Sequence, residues 1–276
     1  MPDGLTFTFH GVRGSVAIDR PDSARYGGAT ISISARLADD HYLVLDAGTG
    51  LRDLQHHLPE EGSLRFSFLV THFHWDHLLG LPFFRPLYQP SGSFDFYATA
   101  AEGGTVESGI AGVMEPPLFP LPLRSVLSAL SFVDVPADPW EIGPVTVRAA
   151  RLHHPQGVNA YRIDFGESSL VLATDVEAGE PESDRALIEL ARGADVLIHD
   201  AQYLPTEIET YKGWGHSTWE EAVEIAEAAG VERLVIISHD PERTDDGVDE
   251  LEAAARKRFP NTDAAFAGMQ LTLPGR

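Results

Sequence analysis

Among the 276 residues there is no cysteine, so neither a disulfide framework nor a thiolate metal site is possible. Any metal must be held by nitrogen and oxygen. Basic charge is scarce as well: Lys and Arg together number 20 against 42 Asp and Glu, the formal net charge is -22, and Lys212 and Lys257 are the only lysines. Such a surface repels polyanions, which disfavours a long nucleic acid as partner. No apolar run is long enough to span a bilayer, and the expectation is a chain that needs no membrane. The opening "MPDGLTFTFHG" has neither the basic n-region nor the long apolar h-region of a secretory signal, so a cytoplasmic location is expected. Repeats, low-complexity tracts and linker-like stretches are also missing. With 43% apolar residues, the expectation is one domain over 1–276 with a sizeable core.

What is present is a recurring pattern, a short apolar run followed at once by polar residues. "HYLVLDAGTG" leads to Asp46, "LRFSFLVTHFHWDH" to a cluster of histidines, "SSLVLATDVE" to Asp175, "ADVLIHDAQY" to His199 and Asp200, and "RLVIISHDPE" to His239. Runs of five to seven residues rich in Val, Ile, Leu and Phe read as buried strands. Five strands would thus deliver His or Asp from their C-terminal ends. "HSTWEEAVEIAEAAG" reads as a helix, with Ser217 and Glu220 as a capping box, an apolar face of Trp219, Ala222, Val223, Ala226 and Ala229, and Gly230 as the stop. Further helices are expected in "DRALIELARG" and "DGVDELEAAARKRF". Alternating strands and helices argue for sheets covered by helices, an α/β layered fold.

The densest chemistry lies in "THFHWDHLLGL". His72 and His74, two apart, can point to one side of an extended segment. Asp76 and His77 follow where the chain turns and can face a second point nearby, so one loop could feed two metal ions. Isolated histidines such as His56 and His57 are read as ordinary surface groups. Packing gives no reason to place four solvated ligands beside a strand.

These motifs resemble those of the metallo-β-lactamase-fold hydrolases, whose hallmark is His-x-His-x-Asp-His, and more narrowly the branch of ribonuclease Z and cyclic-nucleotide phosphodiesterases. The resemblance runs from "VRGSVA" and "YGGATISI" through "LVLDAGTG", "LHHPQGVNAYRI", "ATDVE", "LIHDAQY" and "GHSTWEEA" to "ISHDPE". It implies a four-layer αβ/βα sandwich with a dinuclear site on one edge of two facing sheets. Position by position it implies His72, His74 and His154 on one metal, Asp76, His77 and His239 on the other, and Asp175 bridging. His154 is preferred to His153 because the family ligand directly precedes Pro in a His-Pro-x-Gly turn. Asp46 is expected beside the metal loop. "HDAQ" resembles the family's His-Glu-Ala-Thr segment with Asp200 in place of Glu, and "HST" repeats its His-Ser-Thr. Asp76, His216 and Asp200 are therefore the expected catalytic residues, with His216 as general acid and Asp200 orienting it.

Imidazoles and carboxylates suit two divalent ions, Zn first and Mn or Fe as alternatives, which can share a water and lower its pKa toward neutrality. The expected activity is hydrolysis of a small phosphodiester, including cyclic nucleotides. The alternatives are a ribonuclease Z-like RNA 3′-processing endonuclease, a carbonyl-ester or lactone hydrolase, and an inactive nucleotide-sensing module. Against RNA processing stand the acidic charge and the short spacing from Asp175 to His199, which leaves no room for a tRNA-clamping arm. A homodimer fits the family. Residues 82–135, aromatic and proline-rich, are open to three readings: substrate lid, dimer surface, or plain packing.

Overall fold

The computed structural model describes residues 4–59 and 62–275. In chain order the strands are β1 (Gly4–Gly11), β2 (Ser32–Ala38), β3 (His41–Leu45), β4 (Arg65–Leu69), β5 (Ser93–Ala98), β6 (Ala129–Asp134), β7 (Trp140–Ile142), β8 (Val145–Leu152), β9 (Val158–Phe165), β10 (Ser168–Ala173), β11 (Val196–Asp200), β12 (Arg233–Ile237), β13 (Thr262–Ala264) and β14 (Gln270–Pro274). The helices are α1 (Leu51–Leu54), α2 (Val106–Ala111), α3 (Pro181–Ala191), α4 (Ile208–Tyr211), α5 (Trp219–Ala229) and α6 (Asp245–Arg258). The strands form two seven-stranded mixed sheets, in the orders β14-β1-β2-β3-β4-β5-β6 and β13-β12-β11-β10-β9-β8-β7. β14 closes the first sheet by pairing antiparallel with β1, Gly4 opposite Pro274.

One core lies between the sheets, with Phe7, Phe9, Leu45 and Leu69 facing Tyr161, Ile163, Leu172 and Ile198. A second packs α3, α5 and α6 onto the other face of the second sheet, through Val171, Leu197, Ala222, Ala226 and Leu251. A third covers the outer face of the first sheet. The layers are therefore helix, sheet, sheet, helix, the expected αβ/βα sandwich. No helix among the described residues is long and apolar enough to cross a membrane.

Residues 82–135 contribute in part to the core, while Phe83, Leu118, Leu121 and Leu127 stay exposed. They supply β5 and β6, and Phe94 and Phe96 stack on Phe66 and Phe68 with centroids 4.9 and 5.1 Å apart. Buried aromatics of this size each contribute roughly 1.5–3 kcal/mol by area alone. The capping box falls one residue later than the sequence suggests. Thr218 caps α5 and pairs with Glu221, while Ser217 Oγ donates instead to the Val176 carbonyl. Gly230 ends the helix in the left-handed region at φ 67°.

What positions the site is the parallel half of each sheet. β3 and β4 run parallel, as do β10, β11 and β12, so their carboxyl ends meet along one edge. Asp46, His72, Asp175 and Asp200 lie at or just beyond those ends.

Candidate metal centre

Five imidazoles share one design. Each gives its outer N–H to an acceptor and turns its second nitrogen inward. His72 Nδ1 donates to Thr71 Oγ1 at 3.0 Å, and that hydroxyl in turn donates to Asp46 Oδ2 at 2.9 Å. His77 Nδ1 donates to the same Asp46 oxygen at 2.8 Å. His154 Nδ1 donates to the Gly215 carbonyl at 2.8 Å, His74 Nε2 to Gln156 Oε1 at 2.9 Å, and His216 Nδ1 to Asp200 Oδ2 at 2.7 Å. Such outer partners fix tautomer and ring orientation, as they do around metal-bound histidines.

The inward atoms form close groups. His72, His74 and His154 make one, and His72, His77 and Asp175 a second, each with its donor atoms within 4.8 Å of one another. His154 Nε2 stands 3.1 Å from His74 Nδ1 although both rings already donate from their other nitrogen, so two lone pairs face each other. The buried His72 Nε2 has no hydrogen-bond partner. Lone pairs converging in this way call for a cation between them, and the residues present fit a divalent ion. His77 Nε2 lies between two carboxylates, 3.1 Å from Asp175 Oδ2 and 3.2 Å from Asp76 Oδ2. Burial opposes charge on His77, yet Asp76, Asp175 and Asp46 outweigh it and hold its pKa well above the ordinary value. Burial likewise raises the Asp175 pKa, and His77 and His216 more than reverse this to leave it well below the usual carboxylate range. The field that retains a proton here is the field that would hold a metal ion.

Asp175 is fixed from several sides. Its Oδ1 accepts from Thr174 Oγ1 at 2.6 Å and Ser238 Oγ at 3.3 Å, leaving Oδ2 toward His77, with His72 Nε2 3.9 Å and His216 Nε2 4.0 Å away. Asp76 Oδ2 accepts the Ser15 backbone N–H at 2.9 Å. Ser15, Asp46, Gln156, Asp175 and Ser238 are the non-glycine residues with positive φ among those described, and each touches this cluster or its outer partners. Left-handed backbone at non-glycine positions costs about 1–3 kcal/mol apiece and persists where the surroundings over-determine it.

One expected ligand is not brought in. His239 is buried, gives Nε2 to the Ala265 carbonyl at 2.7 Å and meets Tyr26 edge to face at 5.5 Å. Burial, reinforced by Arg13 and Arg243, lowers its pKa to about 4. The reason is register: the end of β12 presents Ser238 to Asp175, and the next side chain points the other way. His199 faces away too, its Nδ1 bonded to the Asp200 carbonyl at 2.7 Å. His153 lines a separate hollow with Glu177, Glu180 and Glu221.

His216 and Asp200 do meet. Asp200 also accepts the Ser217 N–H at 2.8 Å and the Asp175 N–H at 3.2 Å, so the shorter carboxylate reaches everything it needs. His216 forms a third close group with Asp175 and Asp200, one that could also hold a metal ion. Burial alone would lower its pKa, but Asp200 and Asp175 raise it to about 9. The cluster opens into a cavity of about 420 Å³ whose walls include Ser15, Phe73, Trp75, Trp214 and His216. Ser15, Thr71, Gly215 and the two tryptophans escape sequence reasoning. Only the flanking glycines of "GWGH" and the place of Trp75 inside the histidine motif hint at them.

A family model described as a β-lactamase superfamily domain matches residues 41–239. The chain belongs to the metallo-β-lactamase superfamily, and it is a metal-dependent hydrolase of that fold. A ribonuclease Z from Geobacillus kaustophilus is 29% identical over 245 residues, 74% of this chain and 80% of that protein. One from Brevibacillus brevis is 38% identical over 94 residues, 33% of this chain and 30% of that protein. The crystal structure of the metallo-β-lactamase fold protein YhfI from Bacillus subtilis superposes with a TM-score of 0.75 at 20% identity, covering 98% of this chain and 100% of that one.

Proposed function

We propose that the chain is a dinuclear phosphodiesterase acting on small phosphodiesters, cyclic nucleotides among them. The observation that carries this reading is the convergence of inward imidazole nitrogens in two groups that share His72, with the carboxylates of Asp175 and Asp76 beside His77, at the floor of an open cavity. His72, His74 and His154 would hold one ion. Asp76 and His77 would hold the other, with Asp175 between them. Bound divalent ions, with Zn the first expectation, would supply a hydroxide nucleophile near neutral pH and neutralise charge on the substrate oxygens.

The chain's own residues do the rest. Ser15 N–H and Asp46 fix Asp76 and His77 before substrate arrives, so little reorganisation is required. His216 lines the cavity with Nδ1 held by Asp200, and its Nε2 is the atom placed to protonate a leaving alkoxide. Its Nε2 lies 4.0 Å from the same Asp175 oxygen that faces His77, so it would act at the edge of the ligand set.

Ribonuclease Z relatives favour a second reading, RNA 3′-end processing. The net charge of -22 and a cavity wall that holds no arginine or lysine among the described residues weigh against it. The experiment that separates the two is kcat/KM for bis(p-nitrophenyl) phosphate and a 3′,5′-cyclic nucleotide against a tRNA precursor, all at one near-physiological salt concentration. Faster cleavage of the small diesters supports the proposal. Efficient trailer removal with slow diester turnover replaces it with RNA processing.

A further inference from the structure

Two large indoles stand exposed at the metal cavity. Trp75 is 66% and Trp214 64% accessible, whereas Trp140 stacks on Tyr97 and Trp219 packs against the helical core. Both exposed rings line the same cavity, and they come from different sheets, Trp75 from the loop after β4 and Trp214 from the segment between β11 and α5. Leaving two such rings in water forgoes the stabilisation that their burial would give. Exposed aromatics at a cavity mouth are a recognition feature more often than an accident of packing.

The mount beneath Trp214 is rigid. The carboxylate of Glu177, itself buried, accepts the N–H of Gly213 through Oε1 and of Gly215 through Oε2, both at 2.9 Å. One side chain thus pins the backbone on both sides of the tryptophan. Gly213 and Gly215 have φ of 84° and 88°, and a Cβ at Gly215 would collide with His154 Nδ1. The indole meets Tyr211 edge to face at 5.5 Å, and Tyr211 stacks on Tyr203 at 4.5 Å. The backbone of Trp75 is anchored by its neighbours, since His74 and Asp76 on either side belong to the cluster. Phe73 adds a third aromatic wall, and among the described residues no arginine or lysine lines the cavity to grip a second phosphate.

We propose that Trp214 and Trp75 are a stacking platform that selects phosphodiesters carrying a flat aromatic group, a nucleobase or aryl ring, on a single phosphate, with Glu177 as the positioning residue that fixes the platform. The proposal rests on the phosphodiesterase reading and names the substrate class of that site. Stacking of a base on an aromatic side chain is sequence-tolerant and strong enough to change affinity by about tenfold or more.

The test has two arms. In the first, the Zn-loaded protein is titrated with adenosine 5′-monophosphate and with ribose 5-phosphate while tryptophan fluorescence is followed. The nucleotide should quench and bind at least about tenfold more tightly than the sugar phosphate, and Trp214→Ala should remove most of that margin. In the second, kcat/KM is compared for phenyl p-nitrophenyl phosphate and methyl p-nitrophenyl phosphate, which share a leaving group. Wild type should prefer the phenyl diester. Trp214→Ala, Trp75→Ala and Glu177→Ala should each shrink the preference, mainly through KM of the phenyl substrate. Equal binding of the two monophosphates by wild type, or an unchanged preference in Trp214→Ala, overturns the platform. If no diester is hydrolysed at all, the phosphodiesterase reading fails, while the binding arm still decides whether the platform exists.

Discussion

His216 donates a hydrogen bond from Nδ1 to Asp200 at 2.7 Å while its Nε2 looks into the cavity, 4.0 Å from the nearer oxygen of Asp175. A histidine steered by a carboxylate beside the reacting centre is suited to proton delivery. His216→Ala should therefore keep its metal ions and lose about 10²- to 10⁴-fold in rate on alkyl diesters, with a smaller loss on nitrophenyl diesters whose leaving group needs no proton. Kinetics on a series of leaving groups, with elemental analysis of the same preparation, check this. Loss of metal, or an equal loss on both substrate types, would give His216 another role.

Asp46 never faces the cavity, yet it accepts from His77 Nδ1, from the Thr71 hydroxyl and from the Thr71 N–H at 2.8 Å. Replacing it by Asn leaves the shape but removes the charge that orients His77. Metal affinity of Asp46→Asn should fall about 10- to 100-fold. Competition with a chromophoric chelator measures it, and an unchanged affinity would show that Asp46 only packs.

Gly215 combines φ of 88° with a site where any Cβ would collide with His154. Gly215→Ala should cost about 1–3 kcal/mol from backbone strain alone and should also displace His154, lowering metal content. Thermal unfolding with and without added Zn resolves the two effects. A fully stable, fully metallated variant would show that this loop does not hold His154 in place.

Acid and base should act on different histidines. In metal-free protein the His216 pKa is raised from 6.5 to about 9, so its stabilising contribution is complete below pH 6.5 and is lost as pH rises through 9. His239 is lowered from 6.5 to about 4, so its contribution is present above pH 6.5 and is lost as pH falls through 4. Denaturant midpoints of the metal-free protein across this range should show both flanks. His216→Ala should flatten the alkaline one and His239→Gln the acid one.

The strands and their polar ends were readable because apolar runs, β-branched residues and period are local properties. "THFHWDH" carries its own spacing, whereas His154 is legible only through the resemblance of "HPQG" to the family's His-Pro-x-Gly turn. Three strand ends share one local pattern, apolar residues and then histidine: "LIHD", "IISHD" and "LVTHFH". Of these, only the last sends its histidines to the cluster. What separates them is which residue of β12 reaches Asp175 and which acceptor each ring finds, and the acceptor for His216 lies sixteen positions away. No periodicity reports contacts of that kind. Residues 82–135 stay open between three readings for a similar reason, since Phe94 and Phe96 are core only because β5 extends the first sheet.

The most direct measurement is the metal stoichiometry of three purified proteins, the wild type, Asp175→Ala and His239→Gln, after equilibration with limiting free Zn. Wild type and His239→Gln should each retain two ions per chain, and Asp175→Ala should lose metal and activity together. Loss of an ion from His239→Gln, or full occupancy in Asp175→Ala, would contradict the ligand set proposed for this site.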